Sequence, residues 1–262
     1  MRKFGMLTCV ATTLAVAMTT ACDQTPTAAT TELTASAAAG ESAPKKLDIA
    51  RCAPGAGTFT LVSTNPYFPL DVGRQLILTG EDEGDEVTLQ LTVLDRTRVF
   101  DGVTTRVVEE REFVNGELSE VTWNYHVQAP DGSICYYGED VDVYEEGGIT
   151  HDGAWCEGGN NEAGIFMPAD PKPGMKYQNE VAPGIALDEA TIVGAGPWTV
   201  PFGRFTETIR IRENDPLTGA KDHKVHAAGV GIIVDGTLQL VDVRSTSGAP
   251  DLPSISVQNC GT

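Results

Sequence analysis

Three acids crowd the stretch Tyr136-Tyr137-Gly138-Glu139-Asp140-Val141-Asp142-Val143-Tyr144. An Asp-x-Asp pair supplies the hard oxygen ligands that Ca2+ prefers. An EF-hand loop would also need an oxygen ligand at 144 and a glycine at 145, but Tyr144 and Glu145 stand there. A looser cation site would have to recruit Glu81, Asp82 or Asp85, and solvated acidic edges are the plainer account of these residues. Glu139 offers different chemistry. A carboxyl set against an indole holds its proton more tightly, which is the requirement for a general acid. Glu139 takes that role if the strands place it beside Trp123; a bulge that releases it to water, or pairing with Arg106, would remove it. Trp123, Tyr125, Tyr137 and Glu139 together form the candidate ligand-binding or catalytic face.

Other constellations fail on spacing. His223-x-x-His226 has the spacing of a helical metal pair, but it lies in a strand-like segment, where residues three apart point to opposite faces. No Gly-x-Ser-x-Gly elbow, His-Glu-x-x-His motif or phosphate-cradling glycine loop occurs. No cofactor or metal is expected. With 37 Asp and Glu residues, chance carboxylate pairs are too abundant to select a glycosidase pair.

These residues are positioned by strands. Val87, Leu89, Leu91 and Val93 alternate with polar residues, as on a strand with one buried face. Asn115-Gly116 predicts a type I′ hairpin pairing Val114 with Glu117, so that Arg111 faces Glu120. Pro130-Asp131-Gly132 predicts a three-residue loop pairing Val127 with Cys135. Extended without interruption, that register sets Trp123 opposite Glu139 and Val121 opposite Val141. Asp140 and Asp142 then face solvent, since burying them needs partners. Asp235-Gly236 predicts a later hairpin. Long helical periodicity is absent. The expected fold is all-β: an antiparallel meander sheet, strongly curled or closed into a barrel-like single domain that hides its edges.

The ends describe export. Met1-Arg2-Lys3 precedes an uncharged run from Phe4 to Ala21, the form of an export signal, with cleavage after Ala15-Val16-Ala17 as an alternative. Met18-Thr19-Thr20-Ala21-Cys22 resembles a bacterial lipobox, although Thr19 stands where leucine is usual, and it marks Cys22 for lipidation. The expected organisation is a signal at 1–21, a flexible Thr/Ala/Ser-rich tether at 22–51 and a β domain at 52–262. Loss of Arg2 and Lys3 takes the net charge from −19 to −21. That charge speaks against nucleic acid and against docking on anionic lipid by charge. Cys52, Cys135, Cys156 and Cys260 remain in an oxidising compartment and favour two disulfides out of three possible pairings. The register predicts Cys135–Cys156, and elimination leaves Cys52–Cys260.

Asn65-Pro66-Tyr67-Phe68-Pro69-Leu70, Tyr136-Tyr137-Gly138-Glu139-Asp140, Met167-Pro168-Ala169 and Ala228-Gly229-Val230-Gly231 resemble an uncharacterised family of bacterial exported β-rich proteins, among them lipoproteins. The likeness spans most of the body and implies an exported β domain. It carries no activity. The functional expectation is a non-enzymatic envelope protein, anchored to the membrane through Cys22, that binds a small apolar ligand or an envelope partner. The alternative is a hydrolase using Glu139 as general acid/base. Without the lipid on Cys22, the protein would be secreted.

Overall fold

The computed structural model describes residues 46–256 and Cys260. The export signal, Cys22 and most of the tether lie outside the described residues. Residues 46–51, expected in the tether, belong to the folded body. Lys46 pairs with Glu189 at 2.9 Å, Arg51 with Asp131 at 2.6 Å, and a 3-10 turn over Ile49–Cys52 is capped by the Asp48 carboxylate.

The strands are β1 (Arg74–Asp82), β2 (Asp85–Phe100), β3 (Val103–Val114), β4 (Glu117–Gln128), β5 (Ile134–Glu145), β6 (Gly148–Thr150), β7 (Trp155–Cys156) and β8 (Gly164–Met167). There follow β9 (Lys176–Gln178), β10 (Glu189–Ala195), β11 (Trp198–Val200), β12 (Gly203–Phe205), β13 (Thr208–Asn214), β14 (Lys221–Ala227), β15 (Gly231–Asp235) and β16 (Leu238–Ser245). Fourteen form one antiparallel sheet whose main path runs β6-β5-β4-β3-β2-β1-β16-β15-β14-β13-β10-β9, with β7 and β8 on β5. Two meanders therefore join where β1 pairs with β16. The hydrogen-bonded path is open at β6 and β9, which corrects the expectation of a strongly curled or closed sheet. The short strands β7 and β8 cover β5 in place of closure.

Turn chemistry drives the meander. Glu83-Gly84, Asp101-Gly102 and Asn115-Gly116 all have positive φ, the conformation of two-residue I′ loops, and they join β1 to β2, β2 to β3 and β3 to β4. The Asn115-Gly116 hairpin and the Pro130-Asp131-Gly132 loop form as expected; the Ala129 and Ser133 backbones pair and Gly132 has φ 92°.

Two bulges then redirect the side chains. One, between Glu112 and Phe113, sets Glu120 opposite Glu112 and Arg111 opposite Val121, so the expected Arg111–Glu120 pair does not form. The other lies in β5. Tyr136 still pairs with His126, but beyond it Glu139 pairs with Asn124, Asp140 with Trp123 and Asp142 with Val121. Tyr137 and Gly138 together oppose the single residue Tyr125. Gly138 has φ 118°, and a Cβ there would lie 2.2 Å from the Trp155 carbonyl oxygen. Only glycine fits this bulge.

One extra residue flips every later side chain. Asp140 and Asp142 turn to the Trp123 face, and Glu139 turns away from it. The predicted Trp123–Glu139 neighbourhood is thereby overturned.

The disulfide partners are also exchanged. Cys52 bonds Cys135 and Cys156 bonds Cys260, with Cα separations of 5.5 and 5.0 Å. The return strand β7 puts Cys156 opposite Gly138, three residues from Cys135. At about 3.3 Å per residue this offset is about 10 Å, beyond disulfide reach. Each end of the body is thus stapled separately to the β5–β7 region.

Candidate functional site

The Trp123 face is a docking surface for the chain's own C-terminal segment. Glu109 and Arg111 on β3, and Asp140 and Asp142 on β5, point the same way and are 3% exposed or less. Arg111 donates to the carbonyls of Asp251, Leu252 and Pro253 at 3.5, 3.3 and 2.8 Å. Glu109 accepts the Trp123 indole N–H at 3.0 Å and the Asp251 N–H at 3.3 Å. Its proton affinity is raised by burial, against the pull of these hydrogen bonds and of Arg111. Asp142 accepts the Ser256 N–H at 2.6 Å and the Ser256 hydroxyl at 3.0 Å, and lies 3.0 Å from His151 Nδ1. Asp140 accepts the Arg98 guanidinium at 2.6 Å, the Cys260 N–H at 2.8 Å and the Tyr125 hydroxyl. These are the partners that burial of the Asp-x-Asp pair demands. They make the pair a latch for Ser256 and Cys260, which corrects the solvent-facing placement.

The candidate aromatics on this face are filled space. Trp123, Tyr125 and Tyr137 are buried within the main hydrophobic cluster, and the Tyr137 hydroxyl donates to the Cys52 carbonyl at 2.6 Å. Two surface depressions of about 580 and 550 Å3 sit against Asp101, Glu157 and Glu162 and against Leu47 and Leu187. Neither borders Trp123 or Glu139.

Glu139 faces a different neighbourhood, and there the acids gather. From β3, β4 and β5 come Glu110, Glu120 and Glu139. From the segment between β9 and β10 come Glu180 and Asp188, which are 2% and 4% exposed. From β13, β14 and β15 come Glu213, Asp222, Lys224 and Asp235, neighbours across one face. Lys224 Nζ lies 3.4 Å from Glu213 and 3.5 Å from Asp235. The two groups feel each other. Glu110 senses Asp235 and Lys224, Glu139 senses Glu120 and Lys224, and Glu180 senses Glu139, Asp188 and Glu213. The electrostatic neighbours thus form a circuit linking both meanders, and Lys224 brings an ammonium into it.

Proton affinities in this circuit rise together. Burial pushes Glu139 up to about 7, with Glu120 adding to the rise and Tyr136 and Lys224 opposing it. Burial pushes Glu213 up to about 7, Lys224 opposing and Asp235, Asp222 and Asp188 adding. Half-buried Glu110 is pushed up to about 8, first by desolvation and then by Asp235. Glu180 goes well above the usual carboxylate range through burial and its carboxylate neighbours Glu139 and Asp188. Burial alone would lower Lys224, but Asp235, Glu213, Asp222 and Glu110 outweigh it and raise it.

Several interior polar atoms lack hydrogen-bond partners: Tyr177 OH, Asn179 Oδ1 and His126 Nδ1, while Glu213 Oε2 meets only the Lys224 ammonium at 3.4 Å. Asn179 Nδ2 donates to Glu213 Oε1 at 3.3 Å, which leaves its carbonyl free. Beside the acids stands a packed aromatic group. Phe68 and Phe166 flank His126 with ring centroids 4.9 and 4.5 Å away, and His126 stacks on Tyr136 at 4.8 Å. His226 Nδ1 sits 3.1 Å from the Tyr67 carbonyl, while His223 is exposed, so the His223–His226 pair is split between faces as expected. Burial lowers His126 to about 3 and His226 to about 4, keeping both neutral. Among the described residues, no three His, Cys, Asp or Glu side chains converge to hold a metal ion.

Comparison of the chain with family models, curated proteins and solved structures returned no match.

Proposed function

We propose that this chain is an exported bacterial envelope protein, anchored to the membrane through lipid on Cys22, whose β domain binds a ligand among the acids around Lys224. One observation carries the reading. Burying this many like charges around one ammonium is costly, and such cost is typically kept where a protein binds or reacts. The disulfides suit an oxidising compartment, and the acidic surface disfavours nucleic acid. The packed Trp123 face supports a structural part for Trp123, Tyr125 and Tyr137 in place of the small apolar ligand. Native mass spectrometry of protein released from its own envelope tests the reading. Diacylglyceryl mass on the N-terminal peptide at Cys22 and a retained small guest support it; an unlipidated chain without a guest would sink it.

A second reading, hydrolysis with Glu139 as general acid/base, has its raised proton affinity beside Glu180 in its favour. Any hydrolytic activity of the purified protein that survives Glu139→Gln removes it.

A further inference from the structure

We propose that the guest is a small organic cation carrying a primary ammonium group, bound between Glu213, Asn179, Tyr177 and the carboxylates that surround Lys224. This rests on the ligand-binding reading and adds the chemical class. The argument begins with unmet atoms. Asn179 Oδ1 is an acceptor without a hydrogen-bond donor, on a side chain 4% exposed. The Tyr177 hydroxyl, on a residue 1% exposed, also lacks a partner. Acceptors call for a guest rich in N–H or O–H donors; an anion or an ether would bring none. Charge narrows the choice. The circuit holds eight carboxyl groups against Lys224, so a neutral donor such as an alcohol would balance none of the charge they carry once ionised. An alkylammonium supplies three donors and one positive charge in one compact head.

Lys224 illustrates the same preference. Its ammonium lies within 3.5 Å of Glu213 and Asp235 and is held charged by its neighbours. Lys224 cannot serve every acid. The electrostatic neighbours of Glu180 are the carboxylates of Glu139, Asp188 and Glu213, with no cation among them. A metal ion fits less well, because no three ligating groups converge among the described residues. The elevated proton affinities agree: with no cation present, the acids hold protons instead. An amine must displace those protons, so its binding strengthens as pH rises.

Isothermal titration calorimetry on the disulfide-bonded mature protein tests the class, using 1,4-diaminobutane and spermidine at pH 8, with 1,4-butanediol and MgCl2 as comparisons. Saturable binding of an amine is expected, with none for the diol. Glu213→Gln should weaken it by about 10-fold or more, as for loss of one charge-assisted hydrogen bond. At pH 5.5, binding should again fall about 10-fold or more as protons compete for the same carboxylates. Glu213→Gln removes a buried charge and should fold at least as well as the parent at pH 8, which a urea midpoint checks. The inference is overturned if neither amine binds, if the diol or Mg2+ binds as tightly, or if folded Glu213→Gln binds amines like the parent. A neutral or anionic guest in the native mass spectrum would overturn the amine class and leave ligand binding standing. No guest together with no amine heat would remove both.

Discussion

Raising the pH from 6.5 to 8 should destabilise this protein. Glu139 and Glu213 have folded values of about 7 against an ordinary 4.5. Between those values the native state holds protons that the unfolded chain has released, so stability falls as pH rises. The advantage is fully present below 4.5 and is lost as pH passes through about 7. His126 and His226 act oppositely. Their folded values of about 3 and about 4 lie below the ordinary 6.5, so their cost to the fold grows as pH falls through 6.5 and fades by pH 8, a gain of about 0.4 kcal/mol per histidine across the window. Across the window from 6.5 to 8 the acids outweigh the histidines. Linkage with 4.5 and 7 as the end points gives a loss of roughly 1.5 kcal/mol for the two acids across that window, and roughly 1 kcal/mol once the histidines are set against it. Glu180 and half-buried Glu110 act in the same direction. Urea unfolding of guest-free protein with intact disulfides measures it: with a slope of about 2 kcal/mol/M, the midpoint should drop by roughly 0.5 M. Replacing both Glu139 and Glu213 by Gln should flatten the profile. A midpoint equal or higher at pH 8 would refute the placement of these carboxyls inside the fold.

Asp142→Ala removes the acceptor of two Ser256 hydrogen bonds and should cost about 2–3 kcal/mol. It should also speed protease cleavage between Gly248 and Ser256. The nicked piece should leave only on reduction, since Cys260 stays bonded to Cys156; unchanged cleavage would show that the latch does not hold the segment. Gly138→Ala sets a Cβ 2.2 Å from the Trp155 carbonyl at φ 118°, and should destabilise by roughly 3 kcal/mol or more. A parental melting temperature for that variant would mean that β5 carries no bulge at this position.

Much of the fold was legible because the signals are local. Alternation marked β2 and β4, Asn115-Gly116 and Asp235-Gly236 marked hairpins, and Pro130-Asp131-Gly132 fixed the start of the β4–β5 register. The same glycine signal stands at Glu83-Gly84 and Asp101-Gly102, where it went unused. What went wrong came from bulges. Gly138 sits in Tyr137-Gly138-Glu139 with nothing nearby in sequence to announce its positive φ; the requirement comes from Trp155, seventeen positions on. A register carried through that point reverses Glu139, Asp140 and Asp142 together. The site was less legible still. Glu110, Glu139, Glu180 and Glu213 are scattered among 37 acids, and no spacing distinguishes them from solvated ones.

The sequence by itself determined the all-β class, the hairpin turns, the four cysteines available for bonding and a charge that disfavours nucleic acid, because composition and short-range backbone preference suffice for those. The tertiary structure alone decided which cysteines pair, which acids latch the C-terminal segment and which acids surround Lys224. Those outcomes depend on which side of a strand each residue occupies, and a single inserted residue, accommodated by contact with a distant backbone, is enough to exchange the sides.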